Sequence, residues 1–278
     1  MPLDALPPIG LGTWRMGESR AQRAKEVTAV HKAIELGYRL IDTAEMYGDG
    51  GAEEVTGSAI KAAIDDGVVK REQLIVVSKV LPHNASRAGV AKACDRSRKR
   101  LQLDSLDGYL LHWRGSHPLR ETTDAFEELK ARGAIRWWGV SNFDVDDLEE
   151  LVRLPHGSAC MTNQVYYSAS VRGVEYALLP WQREHGMSTM AYSPIDQGAI
   201  ADDQTLATIG RRHGVSAAQI ALAWVIRQPG ISAIPKAVRE EHLRHNLAAA
   251  SIRLSVEDLA AIDARYPPAK RKQPLAMT

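Results

Sequence analysis

The sequence predicts a closed (β/α)₈ barrel, on three observations. Eight short apolar runs read as buried strands, each followed by a stretch whose apolar residues recur at helical spacing. The alternation holds from one end to the other without a linker, a low-complexity tract or a repeat. The length, 278 residues with 45% hydrophobic, suits one barrel of this kind, which typically runs to about 250 residues. A single domain over 1–278 is therefore expected, with a short cap at Met1 to Pro8 and extra helices before the eighth strand and at the C-terminus.

The elements follow in order. Ile9-Gly10-Leu11 is the first strand, and Val27, Val30 and Ile34 face inward on a helix stopped by Gly37. Leu40-Ile41 is the second strand, followed by a helix carrying Val55, Ala59 and Ala63 that ends at Gly67. Leu74 to Val77 is the third, and Ser86 caps the helix running to Leu101. Leu106 to Leu111 is the fourth, with Ala125, Phe126 and Leu129 on a helix stopped by Gly133. Ile135 to Val140 is the fifth, backed by Val145, Leu148 and Leu151. Cys160 to Val165 and Ser188 to Ala191 are the sixth and seventh, with a helix over about Val174 to Arg183 between them. Two helices then intervene, near Leu206 and from Ser216, where Ser216 and Gln219 form a capping box. Ile231 to Ile234 is the eighth strand. Helices from about Arg239 and from Ser255, the latter carrying Leu259 and Ile262, complete the chain. The tail, 267–278, is rich in Pro, Lys and Arg and reads as irregular, either a loose end or a strap over the rim.

Composition excludes several functions. Net charge is +1, with no basic patch for nucleic acid or an anionic membrane. Arg96 to Arg100 reads as a solvated helix face. Cys94 and Cys160 read as buried thiols rather than a disulfide. The N-terminus lacks a signal-peptide pattern and no run reaches the roughly 20 apolar residues of a membrane span, so a cytoplasmic protein is expected, and a monomer by default. No His-x-His pair occurs and no acidic rim cluster joins His242 and His245, so a metal site is not expected.

Four polar residues stand at or just past the ends of adjacent predicted strands: Asp42, Tyr47, Lys79 and His112. The C-terminal rim of a barrel is where such folds place chemistry. Reduction of a carbonyl needs a hydride for carbon and a proton for oxygen. Tyr47 is the candidate acid, but an ordinary phenol has a pKa of about 10. The Lys79 ammonium is expected to lower it, with Asp42 as the partner of Lys79 and His112 holding the substrate oxygen. None of the four moves hydride, so a cofactor is required. No Gly-x-Gly-x-x-Gly turn on a Rossmann unit is present to bind one, and Gly48 to Gly51 is a poor substitute.

GLGTW (10–14), DTAEMYG (42–48), LLHW (110–113), GVSNF (139–143), AYSP (191–194) and IPK (234–236) occur in one order over nearly the whole chain. Together they resemble the aldo-keto reductase family. Glu45 and Met46 before the tyrosine, with Arg114 after the tryptophan, resemble its bacterial, methylglyoxal-reducing branch. The resemblance implies NADPH-dependent reduction of small aldehydes, α-dicarbonyls or ketones, with the four residues in the roles just given. It implies a dinucleotide across the barrel mouth, its nicotinamide stacked on Tyr192 and its carboxamide held by Ser141, Asn142 and Gln164. Gly12, Thr13, Trp14, Asp42, Ser193, Pro194, Ile195, Gln197 and Pro235 are further implied contacts. Lys236, Arg239, His242 and Asn246 match the segment that holds the adenosine 2′-phosphate. Ala237 and His242 stand where many members have a hydroxyl residue and an arginine, so NADH use alongside NADPH stays open, with Arg239 or Arg244 as compensation. Trp14 and Trp113 are expected to wall an apolar slot for the substrate, with Met46 and His83 at its rim. The alternative is a cofactor-binding redox sensor or regulatory barrel with little turnover.

Overall fold

The computed structural model describes residues 6–278. Eight parallel strands pair in sequence order: β1 (Leu11–Gly12), β2 (Leu40–Asp42), β3 (Ile75–Val80), β4 (Leu106–Leu111), β5 (Ile135–Ser141), β6 (Thr162–Tyr166), β7 (Ser188–Tyr192) and β8 (Ile231–Ala233). The ring closes where Gly10 N donates to Ala233 O at 2.8 Å and Ile9 bridges to Ala233. The fold is the expected (β/α)₈ barrel. Its helices are α1 (Arg23–Leu36), α2 (Gly51–Asp65), α3 (Arg87–Leu101), α4 (Leu119–Ala131), α5 (Val145–Val152), α6 (Leu178–Glu184), α7 (Gln204–His213), α8 (Ala217–Val225), α9 (Glu240–Ala248) and α10 (Val256–Arg265). The two helices expected before β8 are α7 and α8, and α10 is the extra C-terminal helix.

Strand alternation builds the site. Successive side chains of a strand point to opposite faces. Leu6, Leu40, Val77, Leu110, Trp137, Met190 and Ile234 pack together inside the barrel. Two residues further along their strands come Asp42, Lys79, His112 and Tyr192, so these share the inward direction, one layer nearer the mouth. The outward set, such as Ile41, Val76, Tyr109, Leu111 and Val165, packs with the helices in a second, larger core. Gly108 is required by this inner packing: a Cβ there would stand 2.2 Å from the Trp137 ring.

Most element ends lie where the capping residues put them. Gly37 closes α1 at φ 108°, a left-handed conformation that favours glycine. The Ser86 hydroxyl accepts from Gly89 N, and Ser216 and Gln219 exchange both bonds of a capping box. One helix departs from expectation. The span 174–183 is not continuous; a 3₁₀ turn at Gly173–Glu175 precedes α6, which starts only at Leu178. Pro180 explains this, since its ring is tolerated in a first turn but clashes with the carbonyl four residues back in a longer helix.

One further correction concerns the surface, and the structure decides between the two readings of the tail. Arg96 and Arg100 are not simply solvated: they reach the buried carboxylates of Glu45 and Glu53. Both cysteines are free, buried thiols, as expected, and burial pushes each up to about 12. The tail is irregular but lies over the barrel mouth: Lys272 pairs with Asp144 and Asp146, and Leu275 packs on the core. Of the expected cap Met1 to Pro8, residues 1–5 lie outside the described residues; Leu6 joins the inner core and Pro8 O accepts from Ala233 N. No helix among the described residues is long and apolar enough to cross a membrane.

Candidate active site

Lys79 is the hub. Its ammonium, fully buried, donates to Asp42 Oδ2 at 2.8 Å, Thr43 O at 2.9 Å and the Tyr47 hydroxyl at 3.1 Å. Asp42 accepts on its other oxygen from Gln164 Nε2 at 2.8 Å, across the barrel. The Tyr47 ring meets the His112 ring edge-on, with centroids 5.7 Å apart. Lys79 lies within β3 rather than beyond it, and reaches the others because Tyr47 turns back over the strand. The turn from Tyr47 into α2 depends on glycine: Gly48 and Gly50 have φ of 58° and 87°. A Cβ on Gly48 would lie 2.7 Å from Met16 O, and one on Gly51 2.5 Å from Gly17 O. These glycines serve close packing of two loops.

Burial and charge set the protonation states. Burial pushes the Tyr47 phenol up, and the Lys79 charge beside it only partly offsets this. The expectation that Lys79 leaves the phenol more acidic than usual is therefore corrected: desolvation of a phenolate in this site outweighs the ammonium. Burial alone would depress Lys79, but the Asp42 and Tyr47 oxygens outweigh it and keep the ammonium charged. Burial likewise raises Asp42 against the pull of Lys79 and Gln164. His112 is held well below the ordinary imidazole range by burial and then by the Lys79 charge, so it is neutral near pH 7. The arrangement is a protonated phenol on an ammonium, beside a neutral imidazole.

These groups open onto a cavity of about 580 Å³ at the barrel mouth. Of the predicted residues, it is lined by Gly12, Trp14, Asp42, Met46, Tyr47, His112, Trp113, Ser141, Asn142, Gln164, Tyr192, Ser193, Pro194, Ile195, Gln197, Pro235 and Lys236. Thr13 lies beneath, its hydroxyl donating to Asp42 O at 3.0 Å, and Lys79 supports from behind. His83 is exposed on a turn over Pro82–Asn84 and does not line the cavity. Arg239 and His242 are exposed and bonded to each other, and Arg244 is tied to Glu240, while Asn246 is buried on α9; none of these lines it. Sequence reasoning missed Arg15, Gly198, Ile234, Met277 and Thr278. Arg15 adjoins Trp14 and stacks over its ring at 4.5 Å, and Met277 and Thr278 arrive through the fold of the tail.

The cavity fits the nicotinamide end of a dinucleotide. Tyr192 offers a ring held in place from behind by stacking on Tyr166, with centroids 5.5 Å apart. Gly12 allows a close backbone: a Cβ would lie 2.5 Å from Ile234 O. Gln164 spends its amide nitrogen on Asp42, and among the described residues no donor reaches its Oε1. Asn142 is already engaged, accepting from the Tyr192 hydroxyl and donating to His112 O and Ser141 Oγ. Arg15 and Lys236 bring positive charge to the same cavity.

The model of the Aldo/keto reductase family matches residues 8–267. The chain belongs to this family. It is 47% identical to methylglyoxal reductase YeaE of Escherichia coli (strain K12), over 98% of this chain and 95% of that one. It is 36% identical to a glyoxal reductase of Bacillus subtilis (strain 168), over 93% and 88%. An aldo-keto reductase from Klebsiella pneumoniae, solved in complex with NADPH, superposes with a TM-score of 0.93 at 48% identity, over 98% of this chain and 95% of that one. A second structure of an aldo/keto reductase from that organism holds NADP and acetate, with a TM-score of 0.94. Family membership thus accounts for a barrel whose mouth gathers a phenol, an ammonium, a carboxylate and an imidazole.

Proposed function

We propose that this aldo-keto reductase converts small aldehydes and α-dicarbonyls, methylglyoxal and glyoxal among them, to alcohols, working as one barrel domain. It is an NADPH-dependent oxidoreductase. The observation that carries the mechanism is the Tyr47 hydroxyl at 3.1 Å from a fully buried Lys79 ammonium, beside a neutral His112. The cofactor, when bound, supplies the hydride. Gly12, Gln164 and Tyr192 would hold its nicotinamide end, and Arg15 and Lys236 would meet its phosphates. Tyr47 donates a proton to the carbonyl oxygen, a step in which a positioned acid is worth roughly 10²- to 10⁴-fold. Lys79 steadies the phenolate left behind, and Asp42 fixes Lys79. His112 orients the carbonyl oxygen by a hydrogen bond that needs no charge on the ring. Trp14, Met46, Trp113 and Met277 form an apolar slot suited to small carbonyl compounds.

The sensor reading is not favoured, because the proton-transfer residues are all present and the similar proteins named above are reductases. Reduced, buried Cys94 and Cys160 support a cytoplasmic location. Of the exposed large apolar side chains, Met46 and Met277 belong to the cavity, and Tyr176 and Val256 stand on two other segments, which supports a monomer. The test is loss of NADPH absorbance on adding methylglyoxal, glyoxal, or simple aldehydes and ketones, in wild type and in Tyr47→Phe. Turnover by wild type, lost in the variant with NADPH binding retained, is expected. Consumption of NADPH with none of these carbonyls would overturn the reading.

A further inference from the structure

Between Asp42 and Tyr47 stands a carboxylate to which the mechanism above gives no part. Glu45 is buried, and its Oε1 accepts from Leu81 N at 2.8 Å and from Asn84 Nδ2 at 3.0 Å. Its Oε2 accepts from Arg96 Nη2, 3.2 Å away on α3. Its own backbone N donates to Lys79 O at 3.3 Å, and Tyr47 N closes a turn onto Ala44 O at 3.1 Å. One side chain thus ties the segment carrying the phenol to the residues immediately after β3, the strand that carries the ammonium. Leu81 is two residues from Lys79 and Glu45 two from Tyr47. Besides this tie, backbone bonds from Thr43 N to Val77 O and from Glu45 N to Lys79 O join the segment to β3, and Tyr47 itself is held by the glycine packing described above, the His112 ring and the 3.1 Å bond from Lys79.

We propose that Glu45 is a positioning residue for the proton donor: its carboxylate pins the Ala44–Tyr47 turn to the end of β3 and so keeps the Tyr47 hydroxyl at bonding distance from Lys79. Arg96 is the outer counter-charge, 3.2 Å from Oε2 of this buried carboxylate. Its guanidinium is half exposed, so it can turn to water when the charge on Glu45 is removed. Leu81 and Asn84 are less exposed than Arg96, and the backbone donor Leu81 N is fixed at the end of β3.

The proposal rests on the reading of Tyr47 as the acid. Its test is steady-state reduction of methylglyoxal by folded Glu45→Ala and Glu45→Gln, with NADPH affinity measured separately by fluorescence titration. In E45A, kcat falls about 10- to 100-fold, the scale of a misplaced reacting group, while NADPH affinity stays unchanged. E45Q still offers Leu81 N and Asn84 Nδ2 an acceptor and loses only the half-exposed ion pair, so it recovers kcat to within about fivefold of wild type. A role in stability alone predicts that folded E45A turns over like wild type, or that kcat and NADPH affinity fall together; either overturns the proposal. If E45A does not fold, Asn84→Ala carries the test, with kcat expected to fall severalfold and an unchanged kcat overturning the proposal. Tyr47→Phe in the same assay separates the two readings. Loss of turnover in Y47F beside an unaffected E45A removes only the role of Glu45, whereas Y47F as active as wild type removes both.

Discussion

Two ion pairs with buried carboxylates are bonded to consecutive residues of β3, on its opposite faces. Lys79 points inward to Asp42, and Ser78 points outward, donating at 2.5 Å to Glu53, which also accepts from Arg100 Nε at 2.6 Å. Both carboxylates are buried, and both pairs join separate elements. Only the inner one has a phenol within bonding distance of its cation and a cavity beside it. The outer one locks α2 to α3 and to the back of β3, and nothing of it lines the cavity. A buried charge pair therefore says little about chemistry by itself. What marks the inner pair is a proton donor held against the cation and open to a ligand.

The difference can be broken by removing one member of each pair. Lys79→Met takes away the ammonium and strands Asp42 in the barrel, so both properties suffer. We expect kcat to fall by about 10²- to 10⁴-fold, with a loss of stability of about 3–5 kcal/mol, read from NADPH turnover and urea unfolding. Full activity in that variant would remove the distinction between the pairs. Glu53→Ala leaves Arg100 and Ser78 without their acceptor and is expected to cost about 3 kcal/mol in the same unfolding experiment. Its kcat per folded molecule stays at the wild-type value. A selective fall in kcat there, with stability intact, would assign chemistry to the outer pair as well.

Much of the site was legible because strand alternation is simple. An apolar residue followed two positions later by Asp, Lys, His or Tyr places the polar side chain in the same direction, and the pairs Leu40–Asp42, Val77–Lys79 and Leu110–His112 all do so. Partners across a helix face were not legible. Arg96 and Arg100 look solvated in one dimension because the carboxylates they meet, Glu45 and Glu53, belong to segments some 50 residues earlier. His83 lies outside the cavity because a short 3₁₀ turn carries it outward, and turn direction leaves no trace in hydrophobic periodicity. The path of the tail depended on the Lys272 pairs with Asp144 and Asp146, a contact that spacing does not reveal. The direction of the Tyr47 shift was missed for a physical reason: the sequence shows the neighbouring charge but not that burial of the phenol outweighs it.

That last point offers the most direct test. With the phenol pushed up and His112 held neutral, the proton for the carbonyl comes from Tyr47 throughout the neutral range. The measurement is kcat/KM for methylglyoxal reduction as a function of pH. The expected rate is level through neutrality and falls only on the alkaline side, as the phenol, whose ordinary pKa is about 10, ionises. A fall centred near the ordinary imidazole pKa of about 6.5 would place the donated proton on His112 and contradict the central role of Tyr47.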